Sequence, residues 1–236
     1  MQKKGLIMNI HGFQKTTLLD YPQKVAATVF TGGCNLRCPF CHNASLVTHV
    51  NSEQRISEEE VFSYLSKRRG ILDGVCITGG EPLLQPDLEL FCQKIHDLGL
   101  LVKLDTNGTF PQRLRTLLRG GFVDYVAMDV KNSLPLYGKT CGLEVATKDI
   151  EESIGLLLSS GLPYEFRTTV VRELHTKESL LELAHTIDGA KQYFLQSFTD
   201  SGDLIGSELS AYSEEEMRSL LEAVKEALPC AQLRGV

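Results

Sequence analysis

The chain has 236 residues, 42% apolar and 23% charged, and a formal net charge of −6. Such a length suits one α/β domain with a sizeable core, and the acidic balance argues against a nucleic-acid binder working through a broad basic surface. No apolar run reaches the roughly 18 residues that a membrane helix needs, and the opening Met1 to Met8 is too short in its apolar part for a secretory signal. A cytoplasmic protein with no membrane and no nucleic-acid partner is expected.

In chain order, Val25 to Phe30 predicts a first strand that runs through Gly32-Gly33 into a loop carrying Cys34, Cys38 and Cys41. Ser57 reads as an N-cap before Glu58-Glu59-Glu60, opening a helix that stops near Gly70. The strand Val75-Cys76-Ile77 leads into Thr78-Gly79-Gly80-Glu81-Pro82, and residues 88–98 have helical periodicity ending at Gly99. The pattern repeats with a strand at 101–104 ending in Asp105-Thr106-Asn107-Gly108, and a helix at 111–118 closing at Gly120-Gly121. Next come a strand at 125–128 ending in Asp129-Val130-Lys131, a longer loop through Tyr137-Gly138, and a helix from about 148 to 159. The strand 164–171, the helix 177–187 and the strand 193–196 follow; a polar loop then precedes the helix 213–227, with a short last strand within 230–236. Six strand-then-helix units predict a parallel sheet with right-handed crossovers, arranged as an open, partial (βα)6 barrel whose wide side could admit a bulky partner.

Three of the seven cysteines fall within eight positions, as C-x3-C-x2-C. This suits metal ligation in a reducing compartment better than a disulfide framework. Three thiolates on a cubane cluster leave one iron open to a small molecule. A structural zinc site would want four ligands in two knuckles, and no second C-x2-C pair exists. An electron carrier would want a fourth cysteine near its cluster. Cys76 and Cys92 read as buried apolar fillers, with Cys141, in a polar loop, harder to place. His11, His49, His96, His175 and His185 have no mutual ligand spacing and read as surface or capping residues.

In parallel βα architectures functional groups collect at the carboxyl ends of strands. The cysteine loop, Gly79-Gly80-Glu81-Pro82, Asp105-Thr106-Asn107-Gly108 and Asp129-Val130-Lys131 all fall there. Taken singly, Gly-Gly is a tight turn, Asp105 an Asx turn and Lys131 a solvated charge. Arg167, within a predicted strand, needs an internal anionic partner, either a ligand or an acidic neighbour.

Cys34, Cys38 and Cys41 with Phe40, and Gly79-Gly80-Glu81-Pro82 one βα unit later, resemble the radical S-adenosylmethionine (radical SAM) superfamily. Cys41-His42-Asn43, Leu104-Asp105-Thr106-Asn107-Gly108 and Met128-Asp129-Val130-Lys131 look like the glycyl-radical-enzyme activating enzymes. The lead-in Gly12-Phe13-Gln14-Lys15 with Leu19-Asp20-Tyr21-Pro22 looks most like the anaerobic ribonucleoside-triphosphate reductase activating proteins. The resemblance covers nearly the whole chain and implies one [4Fe–4S] cluster on Cys34, Cys38 and Cys41. It implies S-adenosylmethionine held by Phe40, Gly79, Gly80, Glu81, Asp105, Asp129, Lys131 and Arg167, and a monovalent cation beside the methionyl carboxylate. A 5′-deoxyadenosyl radical would then make a glycyl radical on a partner enzyme, either anaerobic ribonucleotide reductase or, alternatively, an enzyme such as pyruvate formate-lyase, or else act on a small molecule. Reduced flavodoxin or ferredoxin is the implied electron donor. The Pro-Tyr-His run of some activating enzymes is replaced here by Leu195-Gln196-Ser197-Phe198-Thr199.

Overall fold

In the computed structural model the described residues are 8–50 and 55–236; the opening on which the signal-peptide reading rests lies outside them, save for Met8. The chain divides into two compact units. The first comprises the chain up to Asn35, Ser45–Thr106 and Gln112–Val126, and the second Leu36–Ala44, Asn107–Pro111 and Ala127–Val236.

The first unit holds the strands β1 (Ile10–Thr17), β2 (Ala26–Thr31), β3 (Gly74–Gly79) and β4 (Leu101–Thr106). Its helices are α1 (Ala44–Thr48, with Ala44 counted to the second unit), α2 (Glu58–Lys67), α3 (Leu88–Asp97) and α4 (Pro111–Gly120, with Pro111 likewise). β2 pairs parallel with β3 from Ala26–Gly74 to Thr31–Gly79, and β3 pairs parallel with β4 from Gly74–Leu101 to Ile77–Leu104. Val29, Val75, Cys76, Ile77, Val102 and Leu104 are fully buried, as befits parallel strands covered on both faces. α2 starts where expected, with the Ser57 side chain accepting from the Glu60 N–H at 3.1 Å.

β5 (Tyr125–Asp129) begins in the first unit and ends in the second. The second unit continues with α5 (Tyr137–Cys141), α6 (Thr147–Ser159), β6 (Tyr164–Val170), α7 (Lys177–Thr186), β7 (Tyr193–Ser197), α8 (Glu214–Ala227) and β8 (Ala231–Arg234). β6, β7 and β8 are parallel. α7 and α8 both open with capping boxes, Thr176 with Ser179 and Ser213 with Glu216.

In the first unit the strands lie in the order β1-β2-β3-β4, and in the second β6, β7 and β8 lie side by side. The six expected strands are β2 to β7, and the expected short last strand is β8. β1 is a correction: it precedes the strand expected to be the first and pairs antiparallel with it, with irregular register between Ile10 and Gly12 and between Gln14 and Thr17. Its sequence, IHGFQKTT, offers little apolar alternation, and only Ile10 and Thr17 are buried. Pairing with β2 forms it rather than a buried face of its own. Among the described residues no helix is long and apolar enough to cross a membrane.

Ser213→Ala removes the N-cap of α8 and is expected to lower unfolding free energy by about 1 kcal/mol. Gly155→Ala sits in the exposed interior of α6, where an added Cβ meets nothing within 4 Å, and is expected to raise it by roughly 0.5–1 kcal/mol. Urea unfolding midpoints, moving down for the first and up for the second, check both.

Candidate active site at the cysteine loop

In the first unit, β2 delivers the chain to Gly33, which has φ +93°. The backbone there is fixed by hydrogen bonds: Gly33 N–H to Leu46 C=O, Gly80 N–H to Thr31 C=O and Glu81 N–H to Gly33 C=O, each 2.8 Å. A Cβ on Gly80 would lie 2.0 Å from the Gly33 oxygen, and one on Gly79, where φ is +110°, would lie 2.4 Å from the Thr31 nitrogen. The Gly-Gly pair is therefore required by backbone lying against backbone. Glu81 is fully buried, and its Oε1 accepts from the Leu83 N–H at 3.0 Å and the Thr106 hydroxyl at 2.8 Å. The first contact caps the 3-10 turn Pro82–Leu84 and the second ties it to the end of β4, the work of a loop-orienting residue.

In the second unit, two further glycines press on the cysteine loop. Arg37 N–H donates to Cys141 C=O at 3.0 Å, and a Cβ on Gly142 would stand 2.3 Å from the Arg37 oxygen. Gly206 N–H donates to Pro39 C=O at 2.8 Å, and a Cβ there would meet the Pro39 Cβ at 2.6 Å. His42 donates through Nε2 to Thr199 C=O at 2.7 Å and stacks on Phe198 with 5.9 Å between centroids. The loop after β7 is thus fastened to Pro39 and His42.

Cys38 is buried and Cys34 and Cys41 half-buried, and none of the seven cysteines is in a disulfide. A hydrogen bond from Cys141 brings the Cys38 thiol down to about 7, with the Lys131 ammonium helping and burial opposing. Burial pushes the Cys41 thiol up. Among the described residues no three His, Cys, Asp or Glu side chains are gathered to hold a metal ion.

Asp129, at the end of β5, receives Arg167 Nε at 2.8 Å on Oδ1 and Lys131 Nζ at 3.0 Å on Oδ2. Arg167 also stands 4.0 Å from the buried Glu165 carboxylate, which Arg234 grips with both guanidinium nitrogens at 2.8 and 3.0 Å. Burial alone would push the Asp129 carboxyl up, but Arg167 and Lys131 together hold it well below the usual carboxylate range. Burial likewise opposes the charge on Lys131, yet Asp129 and then Cys38 hold it above the usual range. The anionic partners of Arg167 are thus acidic neighbours. Lys131 also lies 5.9 Å from the centre of the Phe40 ring; Phe40 is buried and meets His175 edge-on at 6.5 Å.

His175 corrects the surface reading of that histidine. It is fully buried, with Nε2 2.8 Å from Lys131 C=O and Nδ1 3.1 Å from the Val171 nitrogen. It supports the backbone that carries Lys131, and burial lowers its pKa. Asp105, in the first unit, is ion-paired to Lys103, which is itself almost completely buried, and Lys103 Nζ also lies 3.8 Å from Cys76 Sγ. The Asx turn belongs to Asn107, whose Oδ1 accepts from the Thr109 N–H at 3.0 Å. Lys103 was not anticipated, although a lysine within the run Leu101-Val102-Lys103-Leu104, two residues before a carboxylate on the same strand face, signals such a pair.

The cysteine loop, Asp105, Asp129 and Lys131 fall at or just past the carboxyl ends of strands in an α/β protein. The chain belongs to the radical SAM superfamily of oxidoreductases, whose family profile matches residues 28–187. It is 31% identical, over 96% of both chains, to a Methanocaldococcus jannaschii protein provisionally named a glycyl-radical enzyme activating enzyme. It is 27% identical to the pyruvate formate-lyase-activating enzyme of Clostridium pasteurianum, over 75% of each. Among solved structures, SuiB of Streptococcus suis aligns with a TM-score of 0.69 at 15% identity, over 86% of this chain and 47% of that one. That likeness shows the fold, the partial (βα) barrel expected from the strand and helix order.

Because the Asp129 carboxyl is held low in the folded chain, its contribution to stability is complete above the ordinary carboxylate value of about 4 and is lost as pH falls through the lowered native value. Asp129→Asn is expected to cost about 2 kcal/mol at neutral pH and progressively less in acid. Urea unfolding of both proteins from neutrality to about pH 2 checks this; a cost that does not shrink would contradict it.

Proposed function

We propose that the chain, as a single radical SAM domain, activates a glycyl-radical enzyme. The observation that carries this reading is the three-thiol loop of Cys34, Cys38 and Cys41 in a chain alike from end to end with the M. jannaschii protein. The donor set fits a [4Fe–4S] cluster: soft thiolates are its ordinary ligands, none is tied up in a disulfide, and Cys38 is already biased toward its ionised form. When bound, the cluster supplies the electron that splits the S–C5′ bond of S-adenosylmethionine, giving methionine and the 5′-deoxyadenosyl radical that takes a hydrogen atom from a glycine Cα.

The chain's own part is to position that cofactor and exclude water. Gly79 and Gly80 bring backbone acceptors within reach of the methionyl ammonium, with Glu81 orienting their loop. Lys131 and Arg167 meet the methionyl carboxylate. Lys131 and Arg167 both ion-pair with Asp129, which gathers the two cations at the end of β5 for that carboxylate. Asp105 and Asp129 offer oxygens to a monovalent cation, and Phe40 shields the cofactor. Reduced flavodoxin or ferredoxin supplies electrons, in a cytoplasm that keeps the seven thiols reduced. As protein substrate, the likeness to the C. pasteurianum enzyme favours a partner of the pyruvate formate-lyase kind over the anaerobic ribonucleotide reductase that the lead-in segment suggested.

Anaerobic incubation with S-adenosylmethionine, a reductant and each candidate partner tests the reading by electron paramagnetic resonance. A glycyl radical on the pyruvate formate-lyase type of partner, accompanied by 5′-deoxyadenosine, is expected. Formation on the reductase alone would reverse the choice of partner, and 5′-deoxyadenosine with no protein radical on either would overturn the activase role. Cys34→Ala, Cys38→Ala and Cys41→Ala are each expected to abolish visible cluster absorbance; full absorbance in any of them would remove that residue from the ligand set.

A further inference from the structure

Lys103, in the middle of β4, is the one lysine or arginine that is buried among the described residues. Its neighbours Val102 and Leu104 are fully buried. In the parallel ladder Lys103 stands opposite Cys76 on β3, which in turn stands opposite Thr28 on β2. Side chains opposite one another in a parallel ladder point to the same face, so Thr28, Cys76 and Lys103 form a row across three strands of the first unit. All three are buried. The ammonium is the costliest member of such a row, because a lysine taken out of water needs partners for its charge.

Two partners are in place. Lys103 Nζ is ion-paired to Asp105 Oδ1 and lies 3.8 Å from Cys76 Sγ. A thiol sulfur is a weak acceptor, so the carboxylate carries the pairing. Asp105 lies two residues further along β4, on the same face and nearer its carboxyl end. Its side chain keeps 15% of its exposure, whereas that of Lys103 keeps 1%. The pair is thus layered, with the cation sealed from water and the carboxylate above it at the strand end. An ammonium sealed in this way stays with Asp105 and does not exchange with ions of the solvent.

We propose that Lys103 is a positioning residue for Asp105, its ammonium serving as the chain's own monovalent cation there, so that cofactor binding at this carboxylate needs no metal ion from solution. This deepens the proposed function and rests on its reading that Asp105 serves the methionyl end of S-adenosylmethionine. Two carboxylates brought close together repel unless a cation stands against them. Held by Lys103, Asp105 offers oxygen with its charge already balanced. Its side chain is also fixed before the cofactor arrives, which spares the cost of ordering it on binding.

Wild type, Lys103→Met and Lys103→Ala, each reconstituted anaerobically with iron and sulfide, are compared by equilibrium dialysis against S-adenosylmethionine, in choline chloride and in potassium chloride of equal ionic strength. Lys103→Met keeps the length of the side chain and removes its charge. An apolar group is cheaper to bury than an ammonium, so cluster absorbance is expected to persist. Wild type is expected to bind equally in both salts, and Lys103→Met about tenfold more weakly in choline, as for one lost charge-assisted contact. Lys103→Ala leaves space for a small cation, and potassium or methylammonium is expected to restore its binding toward wild type, which a merely structural role for Lys103 would not allow. Potassium-dependent binding in wild type would overturn the proposal, as would wild-type affinity of Lys103→Met in choline. So would failure of both cations to restore Lys103→Ala, or loss of the cluster in both variants. Wild type that took up no cluster, or bound no S-adenosylmethionine in either salt, would defeat the functional reading first, a result distinct from all of these.

Discussion

Backbone lying against backbone at glycine is the constraint on which the cysteine loop depends. Between β2 and α1 the chain carries three thiols but no regular secondary structure, so no helix or strand ladder fixes its shape. Three glycines do so instead. Gly80 closes on Gly33 in the first unit, while Gly142 closes on Arg37 and Gly206 on Pro39 in the second. At each place a side chain would stand 2.6 Å or less from the atoms opposite, a distance at which one of them must move. Each contact also satisfies a loop backbone group by a hydrogen bond made there or next to it, so the loop leaves few orphan polar groups despite its irregular path.

Charge is handled in the second unit by the same economy of means. Asp129 has two cationic partners, and the backbone of Lys131 is braced by the buried imidazole of His175 and the hydroxyl of Tyr137. Breaking a partly buried pair leaves an uncompensated charge, so these side chains hold one another's geometry. Both the Asp129 carboxylate and the Lys131 ammonium are kept ionised across the physiological range. Any ligand that arrives meets a preset field and need not create one.

Much of this was legible in the sequence. The six central strands and the helices between them follow from apolar runs bounded by glycine and capping residues, and the C-x3-C-x2-C spacing singled out the loop proposed as the site. What escaped was long-range. β1 has no buried face of its own and exists by pairing with β2. Gly142 and Gly206 look like ordinary loop glycines, because the partners they approach lie more than a hundred residues earlier in the chain. His175 has no ligand spacing to any other histidine, and its burial depends on α7 and the Lys131 backbone meeting in space. Lys103 was hidden for the opposite reason, since a charged residue inside an apolar strand reads as a blemish until its carboxylate partner is seen.

The central claim is that this loop holds a cluster with one iron open to S-adenosylmethionine. Mössbauer spectroscopy of the anaerobically reconstituted protein, loaded with isotopically enriched iron and measured before and after addition of S-adenosylmethionine, tests it most directly. The account predicts about four irons per chain, with one of them changing its isomer shift and quadrupole splitting when the cofactor is added. A spectrum that the cofactor leaves unchanged, or iron bound as isolated tetrahedral sites, would contradict it.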